Sequence, residues 1–272
     1  MAFFKRSIEG SVAHLAMNRP DKANGMSPDF WDELPAEVED LAQNAAVRVL
    51  VISGEGKHFT GGMDLASFNT IASLFDSEPG RAAFAMRELI LRLQNTFNTL
   101  ERARFPVIAA IHGACIGAGV DMASACDIRL ASTDAFFSIE EINIGMAADV
   151  GTLQRMSKLV SPGIVKELAY TGRRFSAEEA LTWGFVNSVH DSRDATLAAA
   201  MELAGEIANK SPLAIAGIKK AVDYARDHPV ADSLEQIATW NAAMLRPADL
   251  MSALQAKMAK KQAVFDDLLG ER

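Results

Sequence analysis

Short apolar runs alternate with helical patterns along the first two thirds of the chain. Val12–Met17 is such a run, alternating in part, and the turn at 18–21 ends it, which is typical of a strand. Ser27 and Pro28 indicate a helix start, as N-cap and first helical residue, followed by apolar residues at core spacing, at Phe30, Trp31, Leu34 and Val38. Further apolar runs predict strands at 47–53, 106–111, 127–131 and 135–138.

The pattern changes at about residue 194, after which helical patterns dominate. Proline-containing pairs mark the breaks between the predicted helices, because the residue before a proline is disfavoured in a helix. The helices are predicted at 194–209, 212–227, 231–245 and 248–268. We therefore predict an α/β core over residues 1–193, which holds the active site, and a helical region over residues 194–272.

The composition is that of an ordinary globular protein. Of the 272 residues, 49% are hydrophobic and 23% are charged, and the net charge is −8. The negative balance disfavours a nucleic acid partner, which would attract clustered lysine and arginine. The longest apolar run, at 106–111, is too short to span a bilayer, so no membrane partner is expected. No charged-then-apolar leader opens the sequence, so cytoplasmic residence is the default expectation.

Histidine and cysteine spacing gives no sign of a metal site. His14, His58 and His112 have no metal-ligand spacing, and Cys115 and Cys126 lie in apolar stretches. We interpret all five as structural residues. Phosphate-binding nucleotide loops, dinucleotide fingerprints and nucleophile elbows are also missing from the sequence. The expectation is an enzyme without a bound metal or cofactor.

Two glycine-rich segments each follow a predicted buried strand. One covers residues 56–65 and the other covers residues 112–121. A strand that ends in a glycine turn before a helix leaves free backbone N–H groups directed at one point. That arrangement suits an anion, including an oxygen that becomes negative only during a reaction. We interpret the two segments as candidate donor loops.

Three acidic residues lie in small-residue, apolar settings that indicate burial. Asp121 ends the second glycine segment, and Glu141 and Asp149 follow within the same part of the chain. A buried carboxylate is costly unless it is paired, hydrogen-bonded or protonated, so the set suggests proton transfer. Structural roles are the alternative: Asp121 near the positive end of a helix, Asp149 as an N-cap, and Glu141 as an ion-pair partner of Arg155.

Three motifs resemble the crotonase (enoyl-CoA hydratase/isomerase) superfamily. They are Asn18-Arg19-Pro20, Phe59-Thr60-Gly61-Gly62-Met63-Asp64-Leu65, and the stretch from Gly117-Ala118-Gly119 to Ala125-Cys126-Asp127. The resemblance covers nearly the whole chain. It implies a crotonase-like α/β spiral of ββα units with a helical C-terminal trimerisation region, assembled as a homotrimer or a dimer of trimers. It also implies acyl-CoA thioester substrates, with coenzyme A as part of the substrate.

The acids narrow the resemblance to one branch. Hydratases of the superfamily have glutamates at the positions of Asp121 and Glu141 and a glycine at that of Asp149. The branch that isomerises 3,5-dienoyl-CoA to 2,4-dienoyl-CoA in fatty acid β-oxidation has Asp, Glu and Asp, as here. This implies Asp149 as base at C2, Glu141 as acid serving C6, and Asp121 as a tuning group. An enoyl-CoA hydratase or another acyl-CoA hydratase/isomerase of the superfamily is the alternative. The acidic net charge disfavours RNA binding, and the intact carboxylates disfavour a non-catalytic scaffold.

The resemblance also implies, by position, two backbone donors and a set of CoA contacts. The N–H groups of Met63 and Ala118 would form the oxyanion hole, where the superfamily more often has Ala and Gly. The segment 66–81 would either line the acyl pocket or form a surface helix. Lys257 and Lys261 form a basic cluster with Lys260, and the full set of implied CoA contacts is Lys22, Ala23, Asn24, Asp64, Leu65, and, on the last helix, Lys257, Lys261 and Phe265.

Overall fold

A computed structural model describes residues 2–64, 67 and 78–269 of the chain. The strands, in chain order, are β1 (Phe4–Glu9), β2 (Val12–Met17), β3 (Val49–Gly54), β4 (Val107–Ile111), β5 (Ala114–Ile116), β6 (Ile128–Ser132), β7 (Phe136–Ser138), β8 (Phe175–Ser176) and β9 (Ser188–His190). The α-helices are α1 (Pro28–Gln43), α2 (Pro79–Arg102), α3 (Ala118–Ala125), α4 (Thr152–Met156), α5 (Pro162–Thr171), α6 (Ala177–Thr182), α7 (Arg193–Ala208), α8 (Pro212–Asp227), α9 (Val230–Met244) and α10 (Pro247–Ala259). Short 3-10 helices lie at Pro20–Lys22 and Glu140–Ile144.

The strands form one large sheet and one small sheet. The large sheet has the order β1-β2-β3-β4-β6-β9, and all its neighbours are parallel except the antiparallel pair β1 and β2. The small sheet has the order β5-β7-β8, with β5 and β7 parallel. Parallel neighbours require long crossover connections, which here contain helices. The predicted α/β fold is therefore confirmed.

The central strands are buried on both faces, which explains their continuous apolar runs. All six residues of β3 are buried. Leu50 and Ile52 pack into the main core, whereas Val49 and Val51 pack against the opposite layer. That layer is α7, which presents small residues at helical spacing to the sheet, at Ala200, Ala204 and Ala208. Two covered faces hold the sheet rigid beneath the loops that follow its strands.

A buried lysine fastens the next helix, α8, to the core. The Lys219 Nζ donates to the Leu100 carbonyl at 2.9 Å and to the Phe105 carbonyl at 3.1 Å. It also pairs with Asp127 Oδ2 at 2.8 Å, and its side chain is only 6% exposed. The same Asp127 oxygen accepts the Val107 N–H at 2.7 Å. The end of α2, the start of β4 and helix α8 therefore meet at one charged group.

The predicted strands and helices are present, but several elements were not predicted, among them β1, β9, α2 and α5, and two details differ. Strand β1 was not predicted, because it lies at the edge of the sheet and five of its six residues are exposed. Ser27 is the N-cap of α1, but its side chain makes no capping hydrogen bond. The last helix was predicted to reach residue 268, which is wrong, because α10 ends at Ala259 and Lys260 is left-handed with a φ of 53°.

The described residues contain neither a candidate membrane-spanning helix nor a group of side chains suited to a metal ion. No described helix is both long enough and apolar enough to cross a membrane. The described histidine, cysteine and acidic side chains form no group of three that could hold a metal ion.

Candidate active site

Main-chain hydrogen bonds join the two glycine segments side by side. Thr60 and Cys115 form a parallel β-bridge. The Thr60 N–H donates to the Ala114 carbonyl at 2.9 Å, and the Ile116 N–H donates to the Thr60 carbonyl at 3.2 Å. The two candidate donor loops are distant in sequence, yet they form one continuous backbone unit.

The first candidate donor, the N–H of Met63, faces away from a neighbouring backbone pair. Met26 donates its N–H to the Gly62 carbonyl at 2.8 Å, and Asp64 donates its N–H to the Met26 carbonyl at 3.1 Å. Because peptide groups alternate along an extended segment, the Met63 N–H between them points to the opposite side. It takes part in none of the hydrogen bonds among the described residues.

The second candidate donor, the N–H of Ala118, opens the buried helix α3. The first N–H groups of a helix have no partner within it and lie at the positive end of its dipole. A Cβ atom built on Gly62 would lie 3.6 Å from the Ala118 nitrogen and 2.5 Å from the Ile116 carbonyl oxygen. The segment that carries Met63 therefore touches the segment that carries Ala118, and only glycine fits at position 62.

Glu141 reaches this pair of loops from the 3-10 helix Glu140–Ile144. A Cβ atom built on Gly117 would lie 3.3 Å from Glu141 Oε1. The other oxygen, Oε2, is buried and has no hydrogen-bond partner among the described residues. Burial, with a smaller contribution from the charge of Asp121, raises the pKa of Glu141 to about 7. Glu141 can therefore hold a proton near neutral pH, next to the residue that precedes Ala118.

Asp121 lies in the first turn of α3 and is 1% exposed. Its Oδ1 accepts the N–H of Thr152, the first residue of α4, at 2.6 Å. Burial raises the pKa of Asp121 to about 6, although the hydrogen bonds from Thr152 oppose that shift. Asp121 is therefore mostly ionised at neutral pH, close enough to Glu141 to affect its proton affinity.

Asp149 lies in the loop between the 3-10 helix and α4. Burial raises its pKa, and its own backbone N–H opposes the shift. Gln94 of α2 donates from Nε2 to the main-chain carbonyl oxygen of Asp149 at 2.7 Å. The charge of Asp149 raises the pKa values of both Asp121 and Glu141, so the three predicted acids form one electrostatic group.

Two of the structural alternatives for these acids are wrong. Asp149 does not cap a helix, because the N-cap of α4 is Gly151. Glu141 is not the ion-pair partner of Arg155, which instead pairs with Glu101 at 2.7 Å. Asp121 does lie in the first turn of a helix, as its structural alternative required.

The family profile described as "Enoyl-CoA hydratase/isomerase" matches residues 7–268. The chain belongs to the enoyl-CoA hydratase/isomerase family. It is 45% identical to a rat protein named Delta(3,5)-Delta(2,4)-dienoyl-CoA isomerase, mitochondrial. The alignment covers 94% of this chain and 79% of the rat protein. It is 42% identical to the peroxisomal enzyme of that name from Arabidopsis thaliana, over 98% and 97% of the two chains. A crystal structure of enoyl-CoA hydratase from Bacillus anthracis matches with a TM-score of 0.88 at 27% identity, over 97% and 99% of the chains.

These relatives correct the predicted compartment. They are named mitochondrial and peroxisomal enzymes, so the prediction of cytoplasmic residence is wrong. That prediction was based only on the lack of a recognised targeting signal, and the residues that form the fold and the site do not indicate a compartment.

A small apolar cavity of about 80 Å³ lies beside Met63. Its lining comes from the start of α1, the middle of α2 and the segment of the first donor loop, at Pro28, Trp31, Met63, Ser67, Leu89, Arg92 and Leu93. Ser67 is the one described residue within 65–77, and the rest of that stretch lies outside the described residues. The cavity is an apolar space next to Met63, whose N–H bonds to no described residue.

The predicted CoA contacts near the donor loops gather at one rim. Ala23 has a left-handed backbone with a φ of 49°. A Cβ atom built on Gly25 would lie 3.2 Å from the Lys22 carbonyl oxygen and 3.7 Å from Asp64 Cβ. The loop that holds Lys22 therefore approaches the donor loop. Leu65 lies outside the described residues.

The side chain of Asn24 is fully buried and has a structural role. Its Oδ1 accepts the Arg19 N–H at 2.8 Å. Its Nδ2 donates to the carbonyls of Glu55 and His58, both at 2.9 Å, and of Phe59 at 3.1 Å. Its main-chain N–H donates to the Arg19 carbonyl at 2.9 Å, and its carbonyl accepts the Thr60 hydroxyl at 2.8 Å. Because the whole residue is 0% exposed, Asn24 fixes the loop and is not presented at the surface as a CoA contact.

The predicted contacts at the C-terminal end form a separate pocket in the single chain. Lys257 lies in α10, but Lys261 and Phe265 lie beyond it, so their placement on the last helix is wrong. Among the described residues, the pocket is lined by parts of α7, α10 and the following segment, and it includes Lys257, Lys261 and Phe265 beside Lys210. None of its lining residues belongs to the donor loops.

Gln94 and Thr152 were not predicted as site residues, and Arg155 was considered only as a partner of Glu141. Gln94, Thr152 and Arg155 hold the acids or their loop through hydrogen bonds. In each of these hydrogen bonds one partner is a main-chain N–H or carbonyl group. Such contacts do not depend on a residue pattern, so a single sequence gives no motif for them.

Proposed function

We propose that this enzyme isomerises 3,5-dienoyl-CoA to 2,4-dienoyl-CoA in fatty acid metabolism. The observation that carries the proposal is the grouping of Asp121, Glu141 and Asp149, whose pKa values are all raised, in the part of the structure where the N–H groups of Met63 and Ala118 bond to no described residue. Relatives that are 42% and 45% identical carry the name of this activity. The hydratase structure with the same fold is less similar, at 27% identity.

The two N–H groups would stabilise the negative charge that develops on the thioester oxygen. Loss of a C2 proton gives a dienolate, in which the oxygen carries most of the charge. Removing one preorganised donor from such a site typically costs about 3 kcal/mol of barrier. Met63 and Ala118 supply main-chain donors, and the N-terminus of α3 adds its dipole behind Ala118.

Two carboxyl groups with different proton affinities would then move the protons. Asp149, as the ionised base, takes a proton from C2 of the substrate. Glu141, as the protonated acid, gives one to C6, and the double bonds shift from positions 3 and 5 to positions 2 and 4. The pKa of Glu141, about 7, suits a group that must start with a proton. The three acids titrate as a coupled set, and Asp121 adjusts the balance.

Hydration of a 2-enoyl-CoA is the second candidate function. A hydratase needs two carboxylates that hold one water between them. Here one oxygen of Asp121 accepts the Thr152 N–H at 2.6 Å, which turns it toward α4. Asp149 would be an additional acid with no task in hydration. Both features favour isomerisation.

The direct test is an absorbance assay with purified enzyme and a 3,5-dienoyl-CoA. Isomerisation places the diene in conjugation with the thioester, which raises absorbance in the near ultraviolet. Asp149→Asn should lose at least about 100-fold of the rate, while Asp194→Asn, a change at an exposed position in α7, should keep it. An inactive wild type, or full activity in Asp149→Asn, would refute the proposal. Water addition to a 2-enoyl-CoA, insensitive to Asp149, would support the hydratase.

CoA would be held at the rim near Lys22 and Asp64, with Lys257, Lys261 and Phe265 as further contacts. Those C-terminal residues line a different pocket in the single chain, so they would serve the active site of a neighbouring subunit. A lysine there would act as a point charge on phosphate.

We also propose a homotrimer or a dimer of trimers as the assembled form. Helices α8 and α9 expose large apolar side chains in the region assigned to oligomerisation, at Ile218, Val222, Val230 and Leu234, each 59% to 75% exposed. Apolar surface of this kind marks an interface more often than bare solvent. Sedimentation equilibrium would measure the mass of the assembly directly.

A further inference from the structure

One face of helix α2 carries polar side chains that reach the loop of Asp149. Gln94, Asn98 and Glu101 are spaced so that they lie on the same face of the helix. We propose that this polar stripe positions Asp149 for proton transfer, and that Gln94 is its decisive residue. The inference rests on the proposed function, in which Asp149 removes the C2 proton.

Gln94 ties the main chain of Asp149 to a rigid support. Its Nε2 lies 2.7 Å from the Asp149 carbonyl oxygen, and the glutamine is half-buried. Helix α2 is 24 residues long, and its neighbouring face packs Leu93, Phe97 and Leu100 into the core. A hydrogen bond from a packed helix to a main-chain oxygen fixes the position from which the carboxylate extends.

Arg155 holds the next peptides of the same loop. Its Nη1 donates to the Val150 carbonyl at 3.3 Å. Its Nη2 donates to Asn98 Oδ1 at 2.5 Å and to Glu101 Oε2 at 2.7 Å, so the other two members of the stripe hold the guanidinium. A Cβ atom built on Gly151 would lie 1.8 Å from Nη1. The guanidinium therefore packs directly against bare backbone.

The loop depends on these contacts because it has no regular structure of its own. Residues 146–149 belong to no helix or strand. At its start the Met146 N–H donates to the Glu141 carbonyl at 2.9 Å, and at its end the Thr152 N–H donates to Asp121. Between these two points, Gln94 and Arg155 supply the hydrogen bonds to the loop carbonyls.

The stripe also connects the loop to the helical C-terminal region. Arg226 of α8 donates to Glu101 Oε1 at 2.5 Å, while the other oxygen of Glu101 binds Arg155. Glu101 therefore joins α8 and the loop through one carboxylate. Movement of α8 would therefore shift the peptides that follow Asp149, through Glu101 and Arg155.

The position of a base matters strongly for catalysis. A displacement of about 1 Å from the productive geometry can cost about 100-fold in rate. Gln94→Met removes the donor while keeping a side chain of similar length. Asn95→Met is the matched control, because Asn95 is exposed on the adjacent face and bonds only to Arg102 among the described residues.

The experiment compares wild type, Gln94→Met and Asn95→Met with 3,5-dienoyl-CoA, either unlabelled or deuterated at C2. We expect Gln94→Met to lower kcat by about 10- to 100-fold, with KM changed by less than about threefold. The C2 isotope effect should rise, because proton removal becomes slower than the other steps. Asn95→Met should match wild type in all three quantities. A structural role alone would reduce the amount of active enzyme and leave the isotope effect unchanged.

A kcat of Gln94→Met within about twofold of wild type, or an unchanged isotope effect, would overturn the inference. If the wild type does not isomerise the substrate, the proposed function fails instead. A crystal structure of Gln94→Met then supplies a readout without substrate. Displacement of the Asp149 carboxylate by more than about 0.5 Å supports the positioning role, and an unmoved carboxylate refutes it.

Discussion

The amide of Thr152 donates to Oδ1 of Asp121 at 2.6 Å and so connects the starts of two helices across the site. The bond has two effects. It partly offsets the cost of burying Asp121, and it leaves that carboxylate mostly ionised near Glu141. The ionised Asp121 raises the pKa of Glu141, so a contact of Thr152 with one acid helps to keep another acid protonated.

Replacing Asp121 by asparagine should therefore change the pH dependence of the reaction. The amide oxygen of Asn can still accept the Thr152 N–H, but the negative charge is gone. The pKa of Glu141 then falls below its present value of about 7. Because Glu141 must be protonated, activity is lost as the pH rises through its pKa, and the alkaline limb of kcat should move to lower pH. Rates from pH 5 to 9 would check this, and an unmoved alkaline limb would contradict it.

Glu141→Gln should separate the two proton transfers. Asp149 and both backbone donors remain, so proton exchange at C2 continues, while delivery of a proton to C6 is lost. We expect isomerisation to fall by about 100- to 10,000-fold. In deuterated water, NMR should still show deuterium entering C2 of the 3,5-dienoyl-CoA. The control is Glu178→Gln, an exposed change in the first turn of α6. If Glu141→Gln lost deuterium exchange at C2 as fully as it lost isomerisation, Glu141 would instead be the group that removes the C2 proton.

The same variant should be more stable than wild type above neutral pH. The raised pKa of Glu141 means that the folded state binds its proton more tightly than the unfolded state does. The free energy of unfolding of the wild type therefore falls as the pH rises from about 4.5 to about 7. At pH 8, Glu141→Gln should gain about 2–3 kcal/mol, and at pH 4 it should gain little. Urea unfolding at the two pH values measures the difference, and equal gains would contradict it.

Gly62→Ala should damage the oxyanion hole as well as the fold. Gly62 has a φ of 86°, and an added Cβ atom would lie 2.5 Å from the Ile116 carbonyl oxygen. The clash must push apart the segments that carry Met63 and Ala118. We expect kcat to fall by about 100-fold or more.

Gly10→Ala is the matched control for that change. Gly10 has a φ of 58°, and no atom lies within 4 Å of its added Cβ. It should cost about 1–2 kcal/mol of unfolding free energy for the left-handed backbone, with kcat unchanged. Equal kcat values for the two variants would show that Gly62 is not needed to position the two N–H donors.

Much of the fold could be predicted because burial on two faces leaves a plain signal. Strands such as β3 and β4 are buried throughout and mostly apolar, since helices cover both sides of the parallel sheet. The edge strand β1 gave no such signal, because Phe4 is its one buried residue. The end of α10 was missed because nothing local to Lys260 indicates its left-handed backbone.

The acids of the candidate site could be predicted, but their supports could not. Asp121, Glu141 and Asp149 are unusual among small and apolar neighbours, and the family resemblance groups them. Gln94 is one of many polar residues on a long helix, and its target is a main-chain oxygen 55 positions away. A contact that depends on the packing of α2 has no local signature. The ion pair of Arg155 was predicted with Glu141 but forms with Glu101 for the same reason, because Glu101 also lies on α2 and its position depends on how that helix packs.

The β-bridge between Thr60 and Cys115 has a consequence for how such an enzyme can change over generations. It fixes both candidate donor segments through the main chain, so the proposed oxyanion hole would require no particular side chain. Under the proposed function, the residues at 63 and 118 could diversify as long as the neighbouring glycines stay. New acyl preferences could then arise at those positions while the groups that stabilise the enolate remain unchanged.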